Sequence, residues 1–454
     1  MSQSNKNYLF PIYLSLALLI GMFIGNFLPK NSNNTAVSSQ NPSEINEVLR
    51  LVHQFYMDTV NYDLLIKDGI RGMLNALDPH SVYETAEENR KFMEEMSNAF
   101  EGIGVQFHIQ DDSLLVVAAI AGGPSEKVGV RAGDRIIQVD SLKITNIGLK
   151  NEDVFRMLRG KKGSKVALGV YRPKTEKTYQ FNIVRDVIPT YSVIAAYMIN
   201  FHTGYIRLDQ FSATTADEMT NALRKLKKEG MTALILDLRS NSGGYLDAGI
   251  KVADEFLKKG DKIVYTEGLN SDRKDFYATA YGNFEDEKLI VLIDEFSASA
   301  AEIVAGAIQD NDRGILIGRP SFGKGLVQQQ FPLQSGNVIK LTVARYHTPS
   351  GRYIQRPYDD GTQKYYNELL ERILKGEEMD TSKFDAALKY QTVKGRTVYG
   401  GGGITPDIYV AWEKDTLEMP GVADIIDSGR ETFYRKLNAK DKTVLKALEV
   451  LEKP

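Results

Sequence analysis

Two residues of this sequence, Ser299 and Lys324, have the surroundings chemistry needs. Ser299 follows the apolar run "LIVLID" (Leu289 to Asp294) within "EFSASAAEIVAGAIQD", and helical periodicity resumes at Ile303, Val304, Ala307 and Ile308. A serine at a strand-to-helix turn presents its oxygen, and the helix amino end favours developing negative charge. The ordinary alternative is that Ser299 and Glu302, three apart, form a capping box that satisfies an orphan N–H. A nucleophilic serine also needs a base, and the five histidines give little support to a Ser-His-Asp arrangement. His53 lies in a helical run, His80 in a Pro-bounded turn and His108 in a strand, so only His202 and His347 fall in the same region as Ser299. Lysine can serve instead if its ammonium is desolvated. Bringing its pKa from about 10.4 to near 7–8 takes on the order of 4 kcal/mol.

Lys324 lies in "GRPSFGKG", Gly318 to Gly325, which matches all but the last position of a phosphate-cradling loop. The hydroxyl that would reach magnesium is replaced by Gly325. A phosphate loop continues into a helix, whereas "GLVQQQFPLQSG" alternates and meets Pro332, so it reads as a strand. Nucleotide binding is therefore disfavoured. The two flanking glycines instead let the backbone around Lys324 approach another loop closely.

The elements that must position this pair are legible in outline. The chain has 454 residues, 43% hydrophobic and 25% charged, enough for two or three domains. A net charge of −3 and a pI near 6.1 argue against a nucleic-acid partner. The absence of cysteine removes disulfides, thiolate nucleophiles and Cys-held metals. The uncharged run Tyr8 to Pro29 is long enough to cross a bilayer of about 30 Å and reads as an uncleaved anchor (1–30), followed by a polar linker (31–43). Residues 44–88 are helical, with apolar residues at steps of three and four, and end at "DPHS" (Asp78 to Ser81). Residues 89–187 change to short strands separated by glycine, with one helix, "NEDVFRML". Residues 188–412 alternate strands and helices, and the doubly covered runs "TALILDLR" and "LIVLID" indicate an α/β core. Residues 413–454 are polar and helical and read as structural.

The second region resembles a PDZ domain through "EGIGV" and "GPSEKVGVRAGDRIIQVD". The resemblance implies a carboxylate-capturing loop at Gly102, Ile103, Gly104 and Val105, and a groove wall from the helix carrying Val154 and Leu158. "SASAAEIVAGAIQD", "GRPSFGKGLVQ", "LTVARYHTPSGRYIQ" and "VYGGGGITPDI" resemble, in this order, the motifs of carboxyl-terminal processing (tail-specific) proteases. With the similar opening "VNYDLLIKDGIRGMLNALDPHSVYE", the likeness runs from about Asn46 to Val410. It implies an α/β protease core with an inserted PDZ domain, mainly β and partly an open barrel, flanked by helical segments and an N-terminal transmembrane helix.

By this resemblance Ser299 is the nucleophile, Lys324 the general base and Gln328 the group that orients it. The oxyanion donors are Ala300 and one of Gly243 and Gly244. Ser242 departs from the family's usual glycine and leaves that donor open between the two glycines, and Ala301 replaces the usual third serine; neither departure touches Ser299 or Lys324. Asp237 and Arg239, of the same turn motif, read as a structural ion pair. No metal or cofactor is implied. Expected partners are protein substrates with apolar C-terminal tails and the membrane; a homodimer through the terminal helices and an adaptor protein are further candidates. The expected location is extracytoplasmic, periplasmic where there are two membranes. The competing reading is a PDZ scaffold with a dead α/β module, against which stands the presence of both Ser299 and Lys324.

Overall fold

The computed structural model describes residues 42–110, 112–120, 122–375, 386–411 and 431–453. The apolar run Tyr8 to Pro29, most of the linker and residues 412–430 lie outside the described residues, so the expected anchor is not among them. Among those described, no helix is long and apolar enough to cross a membrane. Residues 42–66 contain helix Pro42–Phe55 and the start of helix Tyr62–Asn75, where Ile45, Val48 and Phe55 are exposed.

The remainder is organised on a six-stranded sheet in the order Val193–Met198, Thr203–Leu208, Ala233–Asp237, Lys288–Ile293, Ile315–Gly318, Ile408–Tyr409. The first pair is antiparallel and the other pairs are parallel. Both faces are covered, which is why the central strands read as unbroken apolar runs rather than alternating ones. Leu234, Leu236, Val291 and Ile293 point into one core, with helices Thr215–Lys228, Leu246–Asp254 and Ala300–Asp310. Ile235, Ile290 and Leu292 point into the other, under Val444 and Ala447 of helix Lys442–Glu452. The C-terminal helix thus supplies side chains to this core. Asp441, its N-cap, is also paired with Arg239 at 2.7 Å.

A second sheet is built around strand Val338–His347. Leu326–Pro332 pairs along one edge, while Val82–Glu84 and Lys262–Gly268 share the other. Val82–Glu84 falls in the segment expected to be helical, but the "DPHS" turn delivers it as a strand onto this sheet. Helix Ala86–Met96 likewise crosses the expected boundary at residue 88. Its capping box, Thr85 with Glu88, fixes its start three residues before that boundary.

The PDZ-like region is a sheet ordered Val105–Gln110, Ser113–Ala119, Arg135–Val139, Lys165–Arg172, Lys177–Val184, with helices Pro124–Val128 and Asn151–Leu158. Its core is separate from the two above and includes Leu114, Val116, Ile136, Val154, Leu168 and Ile183. The chain enters and leaves this region through one antiparallel ribbon, Ala99–Gly102 against Asp186–Pro189. Arg159, at the end of the domain's second helix, pairs with Glu94 at 2.8 Å and lies over the ring of Phe100.

Candidate active site

Ser299 stands where strand Lys288–Ile293 turns into helix Ala300–Asp310, at φ +56° and ψ −116°. A non-glycine residue held there stores about 1–3 kcal/mol of backbone strain, so the surroundings must over-determine it. They do so through two buried groups. Glu302 is fully buried, and its Oε2 accepts from the N–H of Ser299 and of Lys324, each at 2.9 Å. Its Oε1 accepts from the Ser321 hydroxyl at 2.6 Å and the Gly323 N–H at 2.7 Å. Burial pushes this carboxyl up to about 6 against the pull of those four donors. From the other side, the Tyr346 hydroxyl reaches the carbonyl oxygens of Lys324 at 2.5 Å and Ser299 at 3.2 Å. The backbones of the two residues, distant in sequence, are therefore fastened to the same carboxylate and the same phenol.

Lys324 leads into strand Leu326–Pro332, not a helix, as the alternation indicates. It is only partly exposed. Desolvation of its ammonium lowers its pKa to about 8, helped by Lys340 and opposed by Glu302 and Asp78. Gln328, on the same strand, donates from Nε2 to the Thr342 hydroxyl at 3.4 Å. Thr342 in turn donates to Asp78 at 3.1 Å. Asp78 also accepts from the Ser81 hydroxyl at 2.6 Å and the His80 N–H at 2.8 Å. The "DPHS" turn thus packs beside the lysine's strand, and a cleft of about 560 Å³ is lined by His80, Ser240, Phe296, Phe322, Lys324 and Tyr366.

The turn after Ala233–Asp237 faces Ser299. Gly243, expected as an oxyanion donor, gives its N–H to Asn241 Oδ1 at 2.9 Å. Its glycine character serves space instead: a Cβ there would lie 2.7 Å from Ser299 Cβ and 3.0 Å from the Ala300 nitrogen. The N–H groups of Gly244 and Ala300 have no partner among the described residues. At Gly244, with φ +146°, a Cβ would come within 1.9 Å of the Phe211 carbonyl oxygen. Gly244→Ala is accordingly expected to lower stability by about 2–4 kcal/mol, read as a shifted urea midpoint with unchanged slope. Asp237 is fully buried and pairs with Arg239 at 2.7 Å and Arg207 at 3.0 Å, the two cations holding its carboxyl well below its ordinary range despite burial. This is the structural ion pair expected from sequence, extended by Arg207.

In the PDZ region, Ile103, Gly104 and Val105, with Phe107, Phe155 and Leu158, form one side of a cleft of about 1150 Å³ whose other side is the core, at Ile194, Gln210, Phe433 and Tyr434. Val154, expected in the groove, is instead fully buried in the domain core. The groove-facing positions of the helix are Asn151, Phe155 and Leu158, at steps of four and three. Gly102 belongs to the ribbon rather than the cleft wall. Phe107 and Phe155 meet edge to face with centroids 5.4 Å apart.

The sequence matches the family model of peptidase family S41 over residues 202–363 and that of a PDZ domain over residues 115–172. A carboxy-terminal-processing protease of Bartonella bacilliformis is 36% identical over 349 residues, covering 76% of this chain and 78% of that one. The carboxy-terminal processing protease CtpA of Bacillus subtilis is 33% identical over 343 residues, covering 75% and 72%. Among solved structures, the photosystem II D1 C-terminal processing protease aligns with 86% of this chain and 93% of its own, at 24% identity and a TM-score of 0.41. The chain is a serine peptidase of the S41 class carrying a PDZ domain. It belongs to the carboxy-terminal processing proteases.

Proposed function

We propose that this protein is a Ser-Lys endopeptidase that reads the C-terminal tail of a protein substrate in its PDZ groove and hydrolyses the chain at Ser299. The observation that carries the reading is the joint fastening of Ser299 and Lys324 by Glu302 and Tyr346, with Lys324 brought to about 8. A lysine that loses its proton near working pH can act as a base without a histidine.

Ser299 Oγ attacks the scissile carbonyl carbon while Lys324 Nζ, as the neutral amine, takes the hydroxyl proton. The oxyanion lies against the N–H groups of Ala300 and Gly244, in the space that Gly243 keeps open. Collapse of the tetrahedral species breaks the C–N bond, and Lys324 returns the proton to the leaving amine. Water then attacks the acyl ester, giving its proton to Lys324, and collapse breaks the ester C–O bond as Lys324 returns that proton to Ser299 Oγ, restoring the free enzyme. Gln328 orients the amine; its Nε2 points to Thr342, which leaves its carbonyl oxygen as the group offered to Lys324.

In the PDZ groove the substrate tail adds as a strand beside Val105–Gln110, its last apolar side chain towards Phe107, Phe155 and Leu158. The Tyr8 to Pro29 run supports a membrane-anchored, extracytoplasmic enzyme. The exposed apolar side chains of Pro42–Phe55 favour a homodimer through that segment.

The test is cleavage of an unstructured protein with an apolar C-terminus by the parent and by Ser299→Ala, with a second substrate whose C-terminus is amidated. The variant is expected to be inactive, and amidation to slow the parent. Equal cleavage by parent and variant would sink the proposed nucleophile; equal cleavage of the two substrates would sink tail reading by the carboxylate.

A further inference from the structure

We infer that His80 contacts the substrate: fixed as the Nδ1–H tautomer, its imidazole donates a hydrogen bond to a main-chain carbonyl oxygen of the polypeptide lying beside Ser299 and Lys324. The inference rests on the Ser-Lys reading, because Lys324 is what marks the cleft lined by His80 as the substrate cleft.

The tautomer follows from the hydrogen bonds behind the ring. Gln355 Oε1 accepts from the Gly325 N–H at 2.8 Å, and its Nε2 donates to the Arg356 carbonyl at 2.9 Å. Turning that amide over would set N–H against N–H and oxygen against oxygen, so its orientation is determined. The same Nε2 donates to the Tyr365 hydroxyl at 3.2 Å and so cannot accept that hydroxyl's own proton, while the Arg356 guanidinium donates to the Tyr365 carbonyl instead. Tyr365 has one proton to give. The remaining neighbour of its hydroxyl is His80 Nε2, at 3.1 Å. Nε2 is therefore the acceptor, and the ring proton sits on Nδ1.

The ring is neutral as well. Burial, Lys324 and Arg356 push its pKa down to about 3, with only Asp78 pulling the other way. The faces packed on it, Tyr365 and Phe322, carry no charge. Nδ1 has no hydrogen-bond partner among the described residues, and His80 lines the cleft beside Lys324. An open donor in a cleft that receives polypeptide has one acceptor that every sequence brings, the main-chain carbonyl. Since Nε2 is already engaged and the ring does not ionise near neutrality, His80 holds substrate and takes no part in proton transfer.

The experiment combines ¹⁵N-histidine spectra of the full protein with kinetics. Only five histidines are present, and His80→Asn identifies the signal. His80 is expected to show the Nδ1–H pattern unchanged from about pH 5 to 9, and Tyr365→Phe to shift it towards Nε2–H. A ring that titrates in this range, or that is Nε2–H in the parent, overturns the proposal. His80→Leu is expected to reduce kcat/KM at least ~10-fold, mostly through KM, while His80→Asn, with an N–H near the Nδ1 position, stays within ~3-fold of the parent. Parent-like kinetics in the Leu variant, or equal losses in both, also overturn it. Ser299→Ala and Lys324→Ala are run alongside: if those are inactive and His80→Leu is not impaired, this inference alone falls. If those two variants retain activity, the Ser-Lys reading falls first.

Discussion

Glu302→Gln is expected to leave a folded protein whose peptide hydrolysis is slower by on the order of 10²-fold or more. Four donors converge on this carboxylate: the N–H groups of Ser299, Gly323 and Lys324, and the Ser321 hydroxyl. An amide supplies one acceptor oxygen and an NH₂ group. Whichever way it turns, the NH₂ confronts two of the four, and each unmet donor costs about 1–3 kcal/mol. The strained turn at Ser299 then relaxes, and the serine moves relative to the lysine. Steady-state hydrolysis and a urea titration on the same sample check both halves. A Gln variant with parental kcat would show that the carboxylate serves folding alone. The pH sign is also set, because burial raises this carboxyl from 4.5 to about 6. Its contribution to stability is complete below about pH 4.5 and is lost as pH rises through about 6.

The second large effect belongs to Lys324. Lys324→Ala removes the proposed base, and a rate loss on the order of 10⁴-fold or more is expected. In the parent, kcat/KM should rise tenfold per pH unit below about 8 and level off above it, because only the neutral amine accepts the serine proton. Lys324→Arg stays cationic throughout and should be as inactive as Ala. A stability readout separates this from a generic pH effect. The folded pKa lies below the unfolded value of 10.5, so the lysine's contribution is present above that value and is lost as pH falls through about 8. Lys324→Met is therefore expected to gain stability over the parent at pH 6 relative to pH 10. An activity profile flat between pH 6 and 9 would rule out a titrating lysine as the base.

The sequence made the strand-helix order of the core legible, because doubly buried strands and amphipathic helices leave distinct periodicities. It also located the turn at Ser299 and the loop at Lys324 by motif. The machinery that fastens them together was not readable. Glu302 registers locally as a capping partner, and nothing in its neighbourhood signals that Ser321, Gly323 and Lys324 will share it. Tyr346 sits in an alternating strand whose polar groups look solvent-facing until the sheet is assembled. His80 reads from sequence as a turn residue, since its neighbours Tyr365 and Lys324 lie more than two hundred positions away. Val154 points into the domain core while Phe155, the next residue, lines the cleft, and the helical period alone does not say which neighbour each side of the apolar stripe will meet. Tertiary pairing decided each of these.

The ribbon that joins the PDZ region to the core has an evolutionary corollary. Gly102 and Asp186 are cross-strand partners, so the two junctions of an 80-odd-residue module lie about 5 Å apart. A gap that small is what a two-residue hairpin turn closes. The larger sheets of the core take no strand from this region, and the PDZ module is inserted as a cassette. It can be excised, or exchanged for a reader of different taste, without rethreading the catalytic fold. An exchanged module would keep the strand order of the catalytic fold, provided the Arg159–Glu94 contact at its base is made again.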